Sequence, residues 1–105
     1  MTKTREIVES PLPQGADEQI VYGLDVTNWG SAPTSTTAKI YQVADNGTLT
    51  DVTTTNMTGS TAVLGNVITL PKIKSLLSGY QYRVEVKFTI GVNIFEAYLI
   101  IEAET

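Results

Sequence analysis

Between Tyr80 and Ile90 the chain reads YQYRVEVKFTI, and every second residue is apolar. Tyr80, Tyr82, Val84, Val86, Phe88 and Ile90 share one side of an extended backbone. Gln81, Arg83, Glu85, Lys87 and Thr89 share the other. Side chains alternate across a strand with a period of two, so this segment buries one face and wets the other only as a β-strand. A strand with one wet side belongs in the middle of an antiparallel sheet whose dry side is covered.

The rest of the chain supplies neighbours of the same kind. Val, Ile, Thr and Tyr recur, and no long stretch repeats apolar residues with a helical period. A first strand is expected at about 4–9, followed by an irregular connection at PLPQG, where proline removes backbone donors and glycine permits a sharp turn. EQIVYGLDVT (18–27) sets Ile20, Tyr22, Leu24 and Val26 on one face, with Gly23 marking a bulge or a close backbone approach. NWGSAPTST (28–36) breaks that pattern and reads as a corner. A third strand is expected at about 37–44, then a type I′ hairpin at DNGT (45–48) and a polar strand near 49–54. STAVL and VITLP, joined by Gly65-Asn66, give two short strands or one interrupted strand. KIKSLLSG (72–79) predicts a single helical turn closed by Gly79. Gly91, Val92 and Asn93 turn the chain, and IFEAYLIIEAE pairs back.

About seven short strands with mostly hairpin connections predict an all-β fold, an immunoglobulin-like antiparallel β-sandwich formed as one domain over 1–105. The spacing of Leu77, Gly79 and Tyr82 resembles the tyrosine corner of fibronectin type III and related sandwiches, where a Tyr hydroxyl ties a loop to the strand after it. A ferredoxin-like fold would need two amphipathic helices, and no segment provides them.

The chain has 105 residues, no cysteine and no histidine. Disulfides, Ser-His-Asp and Cys-His pairs, histidine-containing zinc sites and imidazole switches are therefore excluded. The net charge is −4, and Lys3, Arg5, Lys39, Lys72, Lys74, Arg83 and Lys87 are spread along the chain. Clustered cations would be needed to neutralise a phosphate backbone, so nucleic acid is not an expected partner. The longest aliphatic run, Leu99-Ile100-Ile101, is too short to span a membrane. MTKTREIVES lacks the apolar core of a signal peptide, which predicts a soluble cytosolic product.

Carboxylates are the only acid–base groups left. Asp25, Asp45, Asp51, Glu85, Glu96 and Glu102 fall on wet strand faces or in hairpins, whereas a glycosidase needs a shielded pair with separated pKa values. No enzyme activity, cofactor or metal is expected. Asp45, Asn46 and Asp51 could offer oxygens to calcium, but they lack Asp-x-Asp spacing and a hairpin accounts for them. NGT (46–48) and NMT (56–58) match a glycosylation acceptor pattern, with no consequence for a chain expected to stay in the cytosol.

Two features point to contact with a partner. The last strand is apolar on both sides: Ile94, Tyr98 and Ile100 point one way, and Phe95, Ala97, Leu99 and Ile101 the other. One set must face the core, and the other is a patch for a partner unless the monomer covers it. The first strand, with Lys3, Arg5, Glu6 and Glu9, looks protected as an edge. Trp29 is the single tryptophan. It either holds a glycan or a cell-surface ligand, together with neighbouring loops, or caps one end of the core. Core packing uses aromatics at such positions more often than ligand binding does.

The run from Val21 to Thr53, followed by Met57 to Glu104, resembles small proteins encoded in phage and prophage structural modules. Their pattern is carried here by Trp29-Gly30, Pro33-Thr34, Ile40-Tyr41, Gly65 to Thr69, Leu76 to Val86 and Asn93. The resemblance covers about residues 18–103. It implies a virion structural or assembly protein of immunoglobulin-like fold at the head, the head–tail junction or the tail. Other virion proteins, or further copies of the chain, would be its partners. It would reside in the host cytoplasm during assembly and then in the virion.

Overall fold

The computed structural model describes residues 12–104 and the backbone of residues 3–6. Its centre is the segment that dominates the sequence. The strand β10 (Gln81–Ile90) lies between β4 (Thr34–Val43) and β11 (Asn93–Glu104), antiparallel to both. On its inner face Tyr82, Val84, Val86 and Phe88 are all buried, as the alternation requires.

Around this triplet the larger sheet runs β1 (Lys3–Glu6), β11, β10, β4 and β5 (Leu49–Asp51), and β2 (Leu12–Gly15) also pairs with β11. A smaller sheet holds β3 (Gly23–Asp25), β8 (Val67–Thr69) and β7 (Ala62–Leu64) in that order. The short pair β6 (Met57–Thr58) and β9 (Lys72–Ile73) adjoins it, and Ile20 bridges to Ile73. Leu24, Val26, Ile68, Leu70 and Ile73 form one buried cluster with Ile40, Val84, Val86, Phe88, Leu99 and Ile101 of the larger sheet. The protein is thus mostly β, with open sheets compatible with an all-β sandwich.

Several expectations are corrected. The described residues hold eleven strands rather than about seven, because bends and tight turns cut eight of them to two to four residues. The pairing is not wholly antiparallel, since β1 and β2 both run parallel to β11. The PLPQG stretch is therefore partly strand. Pro13 is tolerated because β2 lies on a sheet edge, with its side chain exposed while the neighbouring Gln14 points inward. Residues 7–9 of the expected first strand lie outside the described residues.

Helical turns form at Thr27–Trp29 and at α1 (Thr53–Asn56), not at 72–79. In the latter segment the backbone is already committed to other partners. Ile20 and Ile73 exchange N–H···O bonds, Lys74 donates to the Asn56 carbonyl, and the Asn56 amide donates to the carbonyls of Lys74 and Ser75. At DNGT the turn is also different. Gly47 has φ 87° but Asn46 is not at positive φ, and Gly47 and Ala44 donate to Ala44 and Thr48 carbonyls respectively. This is a three-residue loop with glycine in the left-handed position, not a type I′ turn.

Two identical tripeptides perform the same local task. Asp25-Val26-Thr27 and Asp51-Val52-Thr53 each end a strand and begin a helical turn, the first of them a 3-10 turn at Thr27–Trp29. In both, the Asp Oδ1 accepts the N–H of the Thr two residues on. Such a bond is the usual way a short acidic side chain diverts the backbone from a strand into a turn. The carboxylates are exposed, and these Thr donors hold both below the ordinary value of 3.8.

Candidate interaction surface

The outward face of the larger sheet is built by register. Tyr41, Arg83 and Ile100 stand side by side across β4, β10 and β11, and Asp51 of β5 extends the row. The next row holds Lys39, Glu85 and Tyr98, and the one after it Thr37, Lys87 and Glu96. The Arg83 guanidinium lies 3.9 Å from the centre of the Tyr98 ring, while its Nε donates to Glu85 Oε2 at 2.7 Å. Both partners of this ion pair keep about a third of their side-chain surface or less in water. The aromatic face and the carboxylate together fix the guanidinium plane. Beside them Thr37, Lys39, Tyr41, Glu85, Lys87 and Glu96 line a shallow depression of about 200 Å³.

Of the residues singled out in the sequence, Ile94, Tyr98 and Ile100 do fall on this outward face, because Phe95, Ala97, Leu99 and Ile101 take the inward positions. The face is not an unbroken apolar patch. Glu96 separates Ile94 from Tyr98, and the charged Lys87, Glu85 and Arg83 of β10 stand opposite Glu96, Tyr98 and Ile100. Nor is β11 an edge strand, for β1 and β2 flank it. Residue alternation alone could not show this, since the parallel pairing joins the two ends of the chain.

Trp29 lies apart from that trio, on the inner side of the sheet. Its ring stacks on Phe88 at 5.2 Å between centroids with 5° between planes, and on Phe95 at 6.2 Å. Phe88 and Phe95 also stack, at 5.7 Å, so three rings close one end of the core. The corner that carries Trp29 is held from several sides. Asn66 accepts from the Ala32 N–H through its side chain and from the Val26 N–H through its carbonyl. Ala32 and Ser35 both adopt left-handed φ, 55° and 53°. That conformation is rare for residues with a Cβ.

Of the carboxylates considered for acid–base work, three are occupied as turn or ion-pair partners. Asp25 and Asp51 accept Thr hydrogen bonds, and Glu85 pairs with Arg83. Asn46 Oδ1 accepts the Thr48 N–H, as expected of a hairpin residue. Among the described residues no group of three or more carboxylates is placed to hold a metal ion. Asn56 of the NMT acceptor pattern is buried with its amide hydrogen-bonded, so the folded chain does not present it.

Two buried polar residues had no signal in the sequence. Gln14 donates to the carbonyls of Glu18 and Ile73 and accepts from the Tyr22 hydroxyl at 2.8 Å. Asn56 ties α1 to the 74–75 loop. Both are single polar letters in a sequence rich in Thr, and only long-range packing assigns them. Among the described residues no helix is long and apolar enough to cross a membrane. No protein-family model matches the chain, and comparison with curated proteins finds no match.

Proposed function

We propose that this chain is a non-enzymatic structural or assembly protein of a phage particle, an immunoglobulin-like sandwich acting by protein–protein contact. The observation that carries the reading is the outward face of the larger sheet. Tyr41, Arg83, Tyr98 and Ile100 are adjacent there, with Arg83 already oriented by Tyr98 and Glu85. Tyrosine and arginine are enriched at the centres of protein interfaces, because they offer large contact area with a polar end. A pre-oriented guanidinium also loses less entropy on docking than a free one. The resemblance of residues 18–103 to phage structural proteins supplies the kind of partner.

The test is binding of the purified chain to capsid, portal and tail proteins, followed by light scattering and by pull-down. Association with a particle component is expected, weakened at least tenfold by Arg83→Ala. A chain that binds none of them and never self-associates sinks the proposal. A glycan platform at Trp29 is the competing reading, and it requires an indole face that Phe88 does not occupy.

A further inference from the structure

β7 is the outermost strand of the smaller sheet. β8 pairs with one side of it, in the register Ala62↔Thr69, Val63↔Ile68 and Leu64↔Val67. Among the described residues nothing pairs with its other side. Leu64 and Val67 flank the two-residue loop Gly65-Asn66, so they exchange N–H···O bonds, and by alternation Ala62 and Thr69 do the same. The N–H and C=O of Val63 therefore point away from β8, along the open side. All three residues of β7 are exposed, Leu64 by 83% and Val63 by 41%, with exposed Val67 beside them.

Charge selects the occupant. The chain carries −4, so two copies repel over most of their surface. From Val52 to Pro71, however, there is no Asp, Glu, Lys or Arg. Other edges are marked differently: β5 ends in Asp51 and β3 in Asp25, two strands away from the β7 edge. Edge strands are ordinarily guarded by charge, proline or a bulge. β7 has none of these in its sequence.

We infer that β7 is a self-association edge that takes β7 of a second copy of this chain as an antiparallel strand. Pairing about a two-fold axis at Val63 is self-complementary. The Val63 N–H of each copy meets the Val63 C=O of the other, and Ala62 stands opposite Leu64. Two three-stranded sheets become one continuous sheet, and the apolar side chains at the junction are covered without burying a charge. The inference rests on the protein-contact reading above and commits it to one edge and one partner. A three-residue edge buries far less than the roughly 1,600 Å² of a standard interface, so an isolated pair is weak. Repetition in an assembly raises the effective concentration and makes such a contact persist.

The test is sedimentation of the full chain from about 10 µM to about 1 mM, a range that brackets weak association. The average mass is expected to rise with concentration. Val63→Pro removes the open-side N–H while leaving the bonds to β8, and Leu64→Lys places an ammonium on the junction. Each should weaken self-association at least tenfold, and Val92→Lys, at an exposed apolar residue elsewhere, should not. Leu64 is so exposed that its lysine variant keeps the fold even where the proline variant does not. In the wild type, the Val63 amide resonance should shift with concentration. A chain monomeric throughout the range overturns the inference, as does self-association that Leu64→Lys leaves unchanged. Either result with a particle protein still bound overturns this inference alone and leaves the broader contact reading in place.

Discussion

The indole of Trp29 lies almost parallel to the ring of Phe88, with centroids 5.2 Å apart, so the one tryptophan forms part of the core wall. A ring held against two phenylalanines is shielded from water on that side, and its fluorescence should be blue-shifted relative to a free indole. Emission at the fully solvated position, or a shift on addition of sugars, would count against this packing. Trp29→Ala should cost about 2–3 kcal/mol in chemical unfolding, toward the low side for a large aromatic because the residue is only half-buried.

Two neighbouring positions of the same corner should respond with opposite signs. Gly30 has φ 144°, and a Cβ built there would lie 2.7 Å from Ile90 Cγ2. Gly30→Ala should therefore destabilise by about 2–4 kcal/mol, through backbone strain and overlap together. Ala32 holds φ 55° with a Cβ present, so Ala32→Gly should be neutral or stabilise by up to about 1 kcal/mol. Thermal unfolding of the two variants beside the wild type checks both signs.

The Leu77 N–H donates to the Tyr82 hydroxyl at 2.9 Å, and the Gln42 amide donates to the same oxygen. Tyr82→Phe keeps the buried ring and removes the acceptor. A loss of about 1–2 kcal/mol is expected, since one backbone donor is left without its partner. Faster hydrogen exchange at the Leu77 amide should accompany it, and an unchanged exchange rate would show that the contact does not hold the loop.

Stability should decline toward acid pH through Asp25 and Asp51. Thr27, chiefly through its hydroxyl, lowers the Asp25 value, and Thr53, chiefly through its N–H, lowers that of Asp51. A folded value below the unfolded one means that the native state releases these protons more readily. The resulting contribution is complete above the ordinary 3.8 and disappears as pH falls through the lowered values. The double variant Asp25→Asn, Asp51→Asn should show a shallower acid limb in unfolding midpoint against pH. At the alkaline end Tyr22 acts in the other direction. Burial, with Glu18 adding to it, raises its value, so its contribution is present below the ordinary 10.0 and is lost as pH rises through the raised one.

The period-two runs of the sequence were sufficient to locate β10 and the inward residues Leu24 and Val26, and to divide β11 into two faces without saying which is buried. Alternation is a local property, and a strand with one buried face has to display it. The contact between Tyr82 and Leu77 was legible for the same reason, because the two residues are close along the chain. What alternation could not convey is which strands become neighbours. The parallel pairing of β1 and β2 with β11 brings together the two ends of the chain, and it makes the last strand an interior one.

For the same reason the candidate surfaces changed place. Alternation set Ile94, Tyr98 and Ile100 on one face of the last strand without deciding whether that face is buried, and cross-strand register places Arg83, Glu85 and Glu96 among them and makes the face a mixed one. The exposed β7 edge reads in the sequence only as a short apolar run, indistinguishable from a buried one. The sequence by itself determined that this protein is β-rich, which face β10 buries, and that histidine and cysteine chemistry is closed to it. Tertiary structure decided where the helical turn forms, what Gln14, Asn56 and Trp29 hold, and which edge is left open. Those outcomes depend on hydrogen-bond partners and ring contacts that lie far apart along the chain, and only folding brings them within reach.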